Sequence, residues 1–465
     1  MSDASTTGPA DTGLRREFGL RDITLFAIAC MVGARWIAPA AHAGSGSLVL
    51  WLLGALLFMI PLSIAVAELT VRHPHVGGMY VWARADFGEW HGFLCFWVYW
   101  VAIAIWFPPA AMFYSSAAAW MLGPQFAHLA SDRTYLITAS LVAIWIALGT
   151  NIIGVRIGKW TENLGAIASW LLGILLAVAA WKVWMKHASA TQFHLIPELN
   201  WNTINFWSSI AYALTGMELV GVMGGEIRDP GRNIRRSAWL ATPFAVVFYM
   251  VATASALVIL PADKISEVNG ISQLGEAAGQ MLGAPWLTPV LATLVLCGAI
   301  GQFGGLGSSV SRMPLAAGVD RLLPAAFARV HPKWATPHIS IIVFGLVASV
   351  LLVVMQLGDS LRAAYDTLIS LMVIAGFLPF LYIFGSSWKA GRRLSAVSGS
   401  IVTVIAIVCA VVPTPDITRV WLFETKLFGG TGGVILSAWL VYRRARKRPY
   451  EPERRSGIPV FPKML

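Results

Sequence analysis

Ala29-Cys30-Met31-Val32-Gly33-Ala34-Arg35-Trp36-Ile37-Ala38-Pro39-Ala40-Ala41 lies inside the first long hydrophobic run of the chain. A helix crossing a bilayer must satisfy its backbone internally, and Gly33 and Pro39, six residues apart, weaken that bonding. Arg35 stands between them, and a guanidinium at this depth costs about 3 kcal/mol or more unless it faces a cavity or a partner. The run therefore reads as a membrane helix interrupted on purpose.

The surrounding composition fits a polytopic membrane protein. The 465 residues are 57% hydrophobic and 12% charged, with a mean hydropathy of +0.68, which excludes an ordinary soluble domain. Apolar runs of the length that crosses a bilayer recur near residues 32, 58, 105, 145, 173, 215, 249, 299, 347, 376, 405 and 435. They are numbered here as spans 1 to 12. The net charge of +11 is distributed by topology and does not suggest nucleic acid. With a cytoplasmic N-terminus, about three quarters of the 34 Lys and Arg fall in the N-tail, the loops after even-numbered spans and the C-tail. Both termini are then expected in the cytoplasm. The basic segment from Arg443 to Arg455 reads as a topology anchor touching anionic lipid.

The expected organisation is a cytoplasmic N-terminal tail (1–20), a core of spans 1 to 10 (21–390), spans 11 and 12 (391–443), and a basic cytoplasmic tail (444–465). Residues 1–13 are polar and small and resemble no cleaved signal. Cys30, Cys95, Cys297 and Cys409 all fall within spans, so free apolar thiols are expected, with neither a disulfide nor a metal site. Span 3 is rich in aromatic rings, among them Tyr99, Trp100, Trp106 and Phe107 ahead of Pro108 and Pro109; a minority of such rings are expected to line a path. Spans 11 and 12 read as free of internal charge.

A second interruption lies in span 6, Tyr212-Ala213-Leu214-Thr215-Gly216-Met217-Glu218, where a glycine and a carboxylate sit in mid-span. Two interrupted spans five apart are what an inverted repeat of five plus five helices produces. Span 8 carries Gly298, Gly301, Gly304, Gly305 and Gly307; with no strand before them these favour close helix contact over phosphate binding.

Four separated patches resemble the amino acid-polyamine-organocation (APC) superfamily of secondary transporters. They are Gly33 with Ile37 and Pro39; Ala67-Glu68-Leu69 with Pro74, Gly77, Gly78 and Tyr80; Tyr212 to Glu218 continuing into Glu226-Ile227-Arg228-Asp229-Pro230-Gly231-Arg232-Asn233-Ile234; and Asp320-Arg321-Leu322-Leu323-Pro324 with Val330-His331-Pro332 and Thr336-Pro337. The resemblance implies an all-α LeuT-type fold of twelve transmembrane helices, with helices 1 and 6 broken around the substrate. Exposed N–H groups at one helix end and carbonyls at the other would grip a zwitterion. The implied substrate-binding residues are Gly33, Ala34, Arg35, Trp36, Tyr212, Ala213, Leu214, Thr215 and Gly216, with Tyr212 as the aromatic gate. Glu218, Arg35 and Tyr212 are the candidates for coupling or gating, because an intramembrane carboxylate or guanidinium is functional by default. Glu68 and Glu226 are expected to pair with arginines that hold the inner gate or the fold.

The chain departs from the family pattern at Arg35, which replaces the second glycine of a Gly-small-Gly break. The span 5 lysine of some sodium-independent relatives is also missing, since Ala168, Ser169 and Trp170 occupy its neighbourhood. Arg35 has three readings: a fixed cation standing where sodium or lysine acts, a fork for a substrate carboxylate, or a structural pair with Glu218 or a carbonyl cluster. The functional expectation is secondary transport of an amino acid or related amine across a cytoplasmic membrane, sodium-independent, by proton coupling or exchange, with no cofactor and oligomeric state open. A transporter-like sensor is the alternative, and a channel a weaker one. No enzyme is expected: metal-ligand spacing is lacking, and Gly44-Ser45-Gly46-Ser47 lacks the G-x-S-x-G order of a nucleophile elbow.

Overall fold

The computed structural model describes residues 14–194, 196–197, 207, 209–266, 269–356, 361–412 and 420–447. Most of the N-tail, residues 1–13, the C-tail from 448 onward and part of the loop before span 6 lie outside the described residues. The described chain is nearly all helix. Ten helices are long and apolar enough to cross a membrane: Leu20–His42, Ser47–Arg72, Glu89–Leu122, Arg133–Ile153, Val155–His187, Pro230–Ile259, Leu287–Val319, His338–Met355, Leu371–Lys389 and Arg393–Val411. They are spans 1 to 5 and 7 to 11. Span 6 is the shorter apolar segment Ser209–Val222. Span 12, Val420–Arg446, takes in Glu424 and Lys426, which corrects the expectation that it carries no charge.

Hydrophobicity on both sides of each helix explains the layering. Leu52, Leu53, Leu56, Leu57, Ile60 and Ile64 of span 2 are exposed, as lipid-facing residues are, while Phe58 and Leu62 point inward and are buried. Span 1 is the most enclosed, with 89% of its apolar window buried. Small residues set the tightest contacts. A β-carbon on Gly165 of span 5 would lie 2.6 Å from the Cα of Gly301 in span 8, so these helices meet backbone to backbone. Spans 11 and 12 pack on the outside of span 10, and span 12 is tied to span 3 by Trp97 Nε1 donating to Ser437 Oγ at 2.9 Å.

Both predicted breaks are present. The first helix of span 1 ends at Met31; Val32 and Gly33 are extended, Ala34–Trp36 form a 3-10 turn, and helix resumes at Ile37–His42. Span 6 is helical to Ala213, unwinds through Leu214, Thr215 and Gly216, and resumes at Met217–Val222. Gly216 has φ +121°, and a β-carbon there would approach Cys30 O to 2.9 Å, so conformation and close packing both require glycine.

The Gly165 contact yields a test. Gly165→Leu should lower the thermal unfolding temperature of the purified protein, by an overpacking cost of about 1–3 kcal/mol. Gly149→Ala, at a position where a β-carbon meets nothing within 4 Å, should not.

Candidate functional site

The exposed backbone of the span 1 break is served by side chains from spans 7 and 8. Tyr249 accepts a hydrogen bond from Gly33 N at 2.9 Å and donates to Met31 O at 2.9 Å, with Ala213 O of span 6 at 3.4 Å from the same hydroxyl. Its ring stacks on Trp51 at 4.3 Å, nearly parallel, which fixes the direction of the hydroxyl. Gln302 Nε2 lies 3.4 Å from Val32 O, and its Oε1 accepts from Tyr114 OH. In the span 6 break, Thr215 Oγ1 donates to Tyr212 O at 2.7 Å.

Glu218 is fully buried and accepts three bonds. Gly216 N is 3.0 and 2.8 Å from its two oxygens, and Tyr99 OH of span 3 donates to Oε1 at 2.6 Å. The carboxylate thus satisfies the backbone donor left free by the break and ties span 6 to span 3.

Between the breaks lies a small cavity with about 20 Å³ of space open to the centre of a water molecule, room for roughly one water. Trp36, Tyr212, Ala213, Thr215, Gly216 and Glu218 line it. Gly33, Ala34, Arg35 and Leu214 do not; Leu214 instead packs over Gly54 of span 2. The rings of Trp36 and Tyr212, 6.3 Å apart, line the cavity on the side away from the termini, with Phe377 behind Tyr212 at 5.7 Å. Tyr99, Trp106 and Gln302 complete the wall.

Arg35 is buried, with its guanidinium 4.5 Å from the Trp36 ring centre and 5.6 Å from that of Trp106. A desolvated cation between two indoles gains about 2 kcal/mol. No acid among the described residues pairs with it, and Nη1 has no hydrogen-bond partner. Glu218 bonds Gly216 and Tyr99 instead, so the Glu218 pair, one of the two forms of the third reading of Arg35, has no counterpart in this geometry.

Every ion pair among the described residues lies on the side of the termini. Glu226 and Arg312, both fully buried, form a bidentate pair at 2.7 and 3.1 Å, and Arg312 Nη1 also donates to Ser308 O and Oγ. Glu226 O accepts from Glu17 N and Phe18 N, so the segment ahead of span 1 is laced to the segment after span 6. Glu68 holds Arg72 and Arg392, and Lys159 holds Asp22. Asp320, beyond span 8, takes Arg84 and the Tyr80 hydroxyl. Burial pushes the Asp320 carboxyl above its ordinary range, against the pull of Arg84 and Tyr80, and raises the Tyr80 hydroxyl further.

Sequence reasoning missed Tyr249, Gln302 and Arg312, and also Glu162, a buried carboxylate in span 5. Glu162 and Arg312 were findable as ionisable residues inside or at the end of apolar runs. Tyr249 and Gln302 carry no such signal.

Two interrupted helices folded against each other over a small cavity define a membrane protein of the LeuT fold. The crystal structure of MhsT in complex with L-phenylalanine has the same fold, with a TM-score of 0.61 at 14% identity over 92% of this chain and 99% of that one. The amino acid permease family model matches residues 18–423, and the chain belongs to that family. Relatives include an uncharacterized transporter of Legionella pneumophila, 24% identical over 88% of this chain and 93% of its own. The serine/threonine exchanger of Bacillus subtilis is 24% identical (83% and 87%), and a probable agmatine/putrescine antiporter of Lactococcus lactis is 22% identical (81% and 80%).

Tyr249→Phe removes the hydroxyl that serves Gly33 N and Met31 O. The expected destabilisation is about 1–3 kcal/mol, the cost of a buried backbone group left unpaired, read as a lowered thermal unfolding temperature.

Proposed function

We propose that this chain is a sodium-independent secondary transporter that carries an amino acid or closely related amine across the cytoplasmic membrane by alternating access. The observation that carries the reading is the small cavity at the meeting of the two breaks, with the rings of Trp36 and Tyr212 on one side and the ion pairs of the termini side on the other. Substrate sits against Trp36, Tyr212, Ala213, Thr215 and Gly216, which line the cavity, and reaches Gly33, Ala34, Arg35 and Leu214 when the breaks part to admit it. Tyr212 and Glu218 act in gating, the first as a lid and the second by holding the span 6 break to span 3. Spans 1 to 10 supply the moving core (21–390), spans 11 and 12 lie outside it, and both termini face the cytoplasm. Proton coupling or exchange supplies the driving force; a unit charge falling through about 100 mV provides about 2.3 kcal/mol.

Sodium independence is supported by Arg35, a permanent cation inside the break. Its unpaired charge also favours a substrate with a carboxylate over a dication, since a buried guanidinium gains most from an anionic fork.

Proteoliposome counterflow with radiolabelled L-serine, L-threonine, L-glutamate, agmatine and putrescine tests this. Amino acids should exchange without sodium and the two amines should exchange less. Arg35→Gln should weaken acidic amino acid binding about tenfold or more, the loss of one charge-assisted bond. Absence of exchange for all five would sink the reading.

A further inference from the structure

Glu162 is a second fully buried carboxylate within a span of the core, and its setting is the reverse of that of Glu218. Glu218 is held by two donors, Gly216 N and Tyr99 OH; Glu162 is buried with Oε2 lacking any hydrogen-bond partner, the Asn151 side-chain amide being its neighbouring donor. It lies in the seam between spans 5 and 8, outside the cavity wall. A β-carbon on Gly304 of span 8 would lie 3.6 Å from Glu162 Cγ and 3.2 Å from Asn151 Nδ2 of span 4. The charged groups that act on it are Arg312 at the end of span 8, Glu226 after span 6, and Asp22 at the start of span 1, with the Cys30 thiol of span 1 also near. Lys159, one turn before it in span 5, is held by Asp22, which Asn163 Nδ2 also approaches at 3.4 Å. Span 7 contributes to this helix the apolar rings Phe244, against Trp170, and Phe248, against Gly173.

The charges around Glu162 are already matched. Arg312 spends both forks on Glu226 and Ser308, and Lys159 is paired with Asp22. An ionised Glu162 would add an uncompensated buried anion with a bare oxygen, whereas a protonated one leaves the seam neutral.

We propose that Glu162 is a proton-binding site of the transport cycle, switched by Arg312. With the termini side closed, Glu226 neutralises Arg312 and Glu162 holds its proton. Opening that side draws the Glu226 segment, laced to Phe18, away from span 8. Arg312 would then stand buried without a counter-ion, and Glu162 becomes its partner by losing its O–H proton to the water that opening admits. Closure reverses the exchange: Glu226 reclaims Arg312, and Glu162 takes up one proton. The inference rests on the transport reading for its place in a cycle, but the protonation itself does not require flux.

Infrared spectroscopy of the full-length protein in lipid vesicles at neutral pH tests it without a substrate. The C=O stretch of a protonated carboxylic acid should be present in wild type and in Glu218→Gln, and be lost in Glu162→Gln. Glu226→Gln should also lose it, because Arg312 then draws Glu162 into its ionised form. A band unchanged in Glu162→Gln, or one that survives Glu226→Gln, overturns the proposal. Thermal unfolding covers the case in which Glu226→Gln is too unstable for spectroscopy: Glu162→Gln/Glu226→Gln, with no anion for Arg312, should unfold at a lower temperature than Glu226→Gln alone, and equal temperatures refute the switch. In the same vesicles, accumulation of the amino acid found by counterflow, driven by a pH gradient, should be lost in Glu162→Gln, and gradient-driven accumulation that survives in this variant refutes the proposal. Absence of flux in wild type instead bears on the transport reading and leaves the infrared result standing.

Discussion

One hydroxyl group holds the centre of this protein together. Breaking a helix in a bilayer strands donors and acceptors with no water to take them, and Tyr249 answers both sides of the span 1 break while reaching a carbonyl of span 6. The stacked Trp51 holds the ring, and Trp51 is itself anchored by a 3.1 Å bond to Thr253. The two interruptions therefore share a strut on span 7, and movement of either half-helix must be accommodated at that hydroxyl. Gln302 plays a weaker part for the neighbouring carbonyl, Val32 O.

Charge is divided just as unevenly along the membrane normal. Ion pairs close the side of the termini, where Glu226, Arg312, Asp320, Arg84, Glu68 and Arg392 join segments distant in sequence. The opposite side carries aromatic rings, and Arg35 there is flanked by indoles. Separating ion pairs costs desolvation and is compensated only when a new partner or water arrives, whereas rings slide with little directional penalty. The two sides of the cavity thus differ in kind, ion pairs on one and aromatic contact on the other.

Much of the architecture was legible from local chemistry. Glycine next to extended backbone at Gly33, and Gly216 ahead of a buried carboxylate, mark the breaks because a helix interior tolerates neither feature without cause. The arginine partners of Glu68 and Glu226 were anticipated as a class, but Arg312 itself was not, because ion pairs join residues 86 positions apart only after spans 6 and 8 dock. The same limit applies to the roles of the acids. Glu218 looked like the obvious titrating group, yet its donors, Gly216 N and Tyr99 OH, come from its own break and from span 3; Glu162 passed unnoticed beside a basic turn, and its bare oxygen is a property of the packed seam.

The amino-acid sequence by itself determined the class: a chain this apolar, with most of its Lys and Arg in alternate loops and two spans punctured by glycine, has to cross the membrane many times and open its backbone at two places. Hydropathy, period and helix-breaking chemistry are local, so a linear reading recovers them. Only the tertiary structure decided which polar groups are satisfied. Hydrogen-bond and ion-pair partners come from helices brought together by packing, and in a medium without water the difference between a paired and an unpaired buried group is several kcal/mol, enough to make Glu218 a brace, to leave Arg35 an open charge, and to leave one oxygen of Glu162 without a partner.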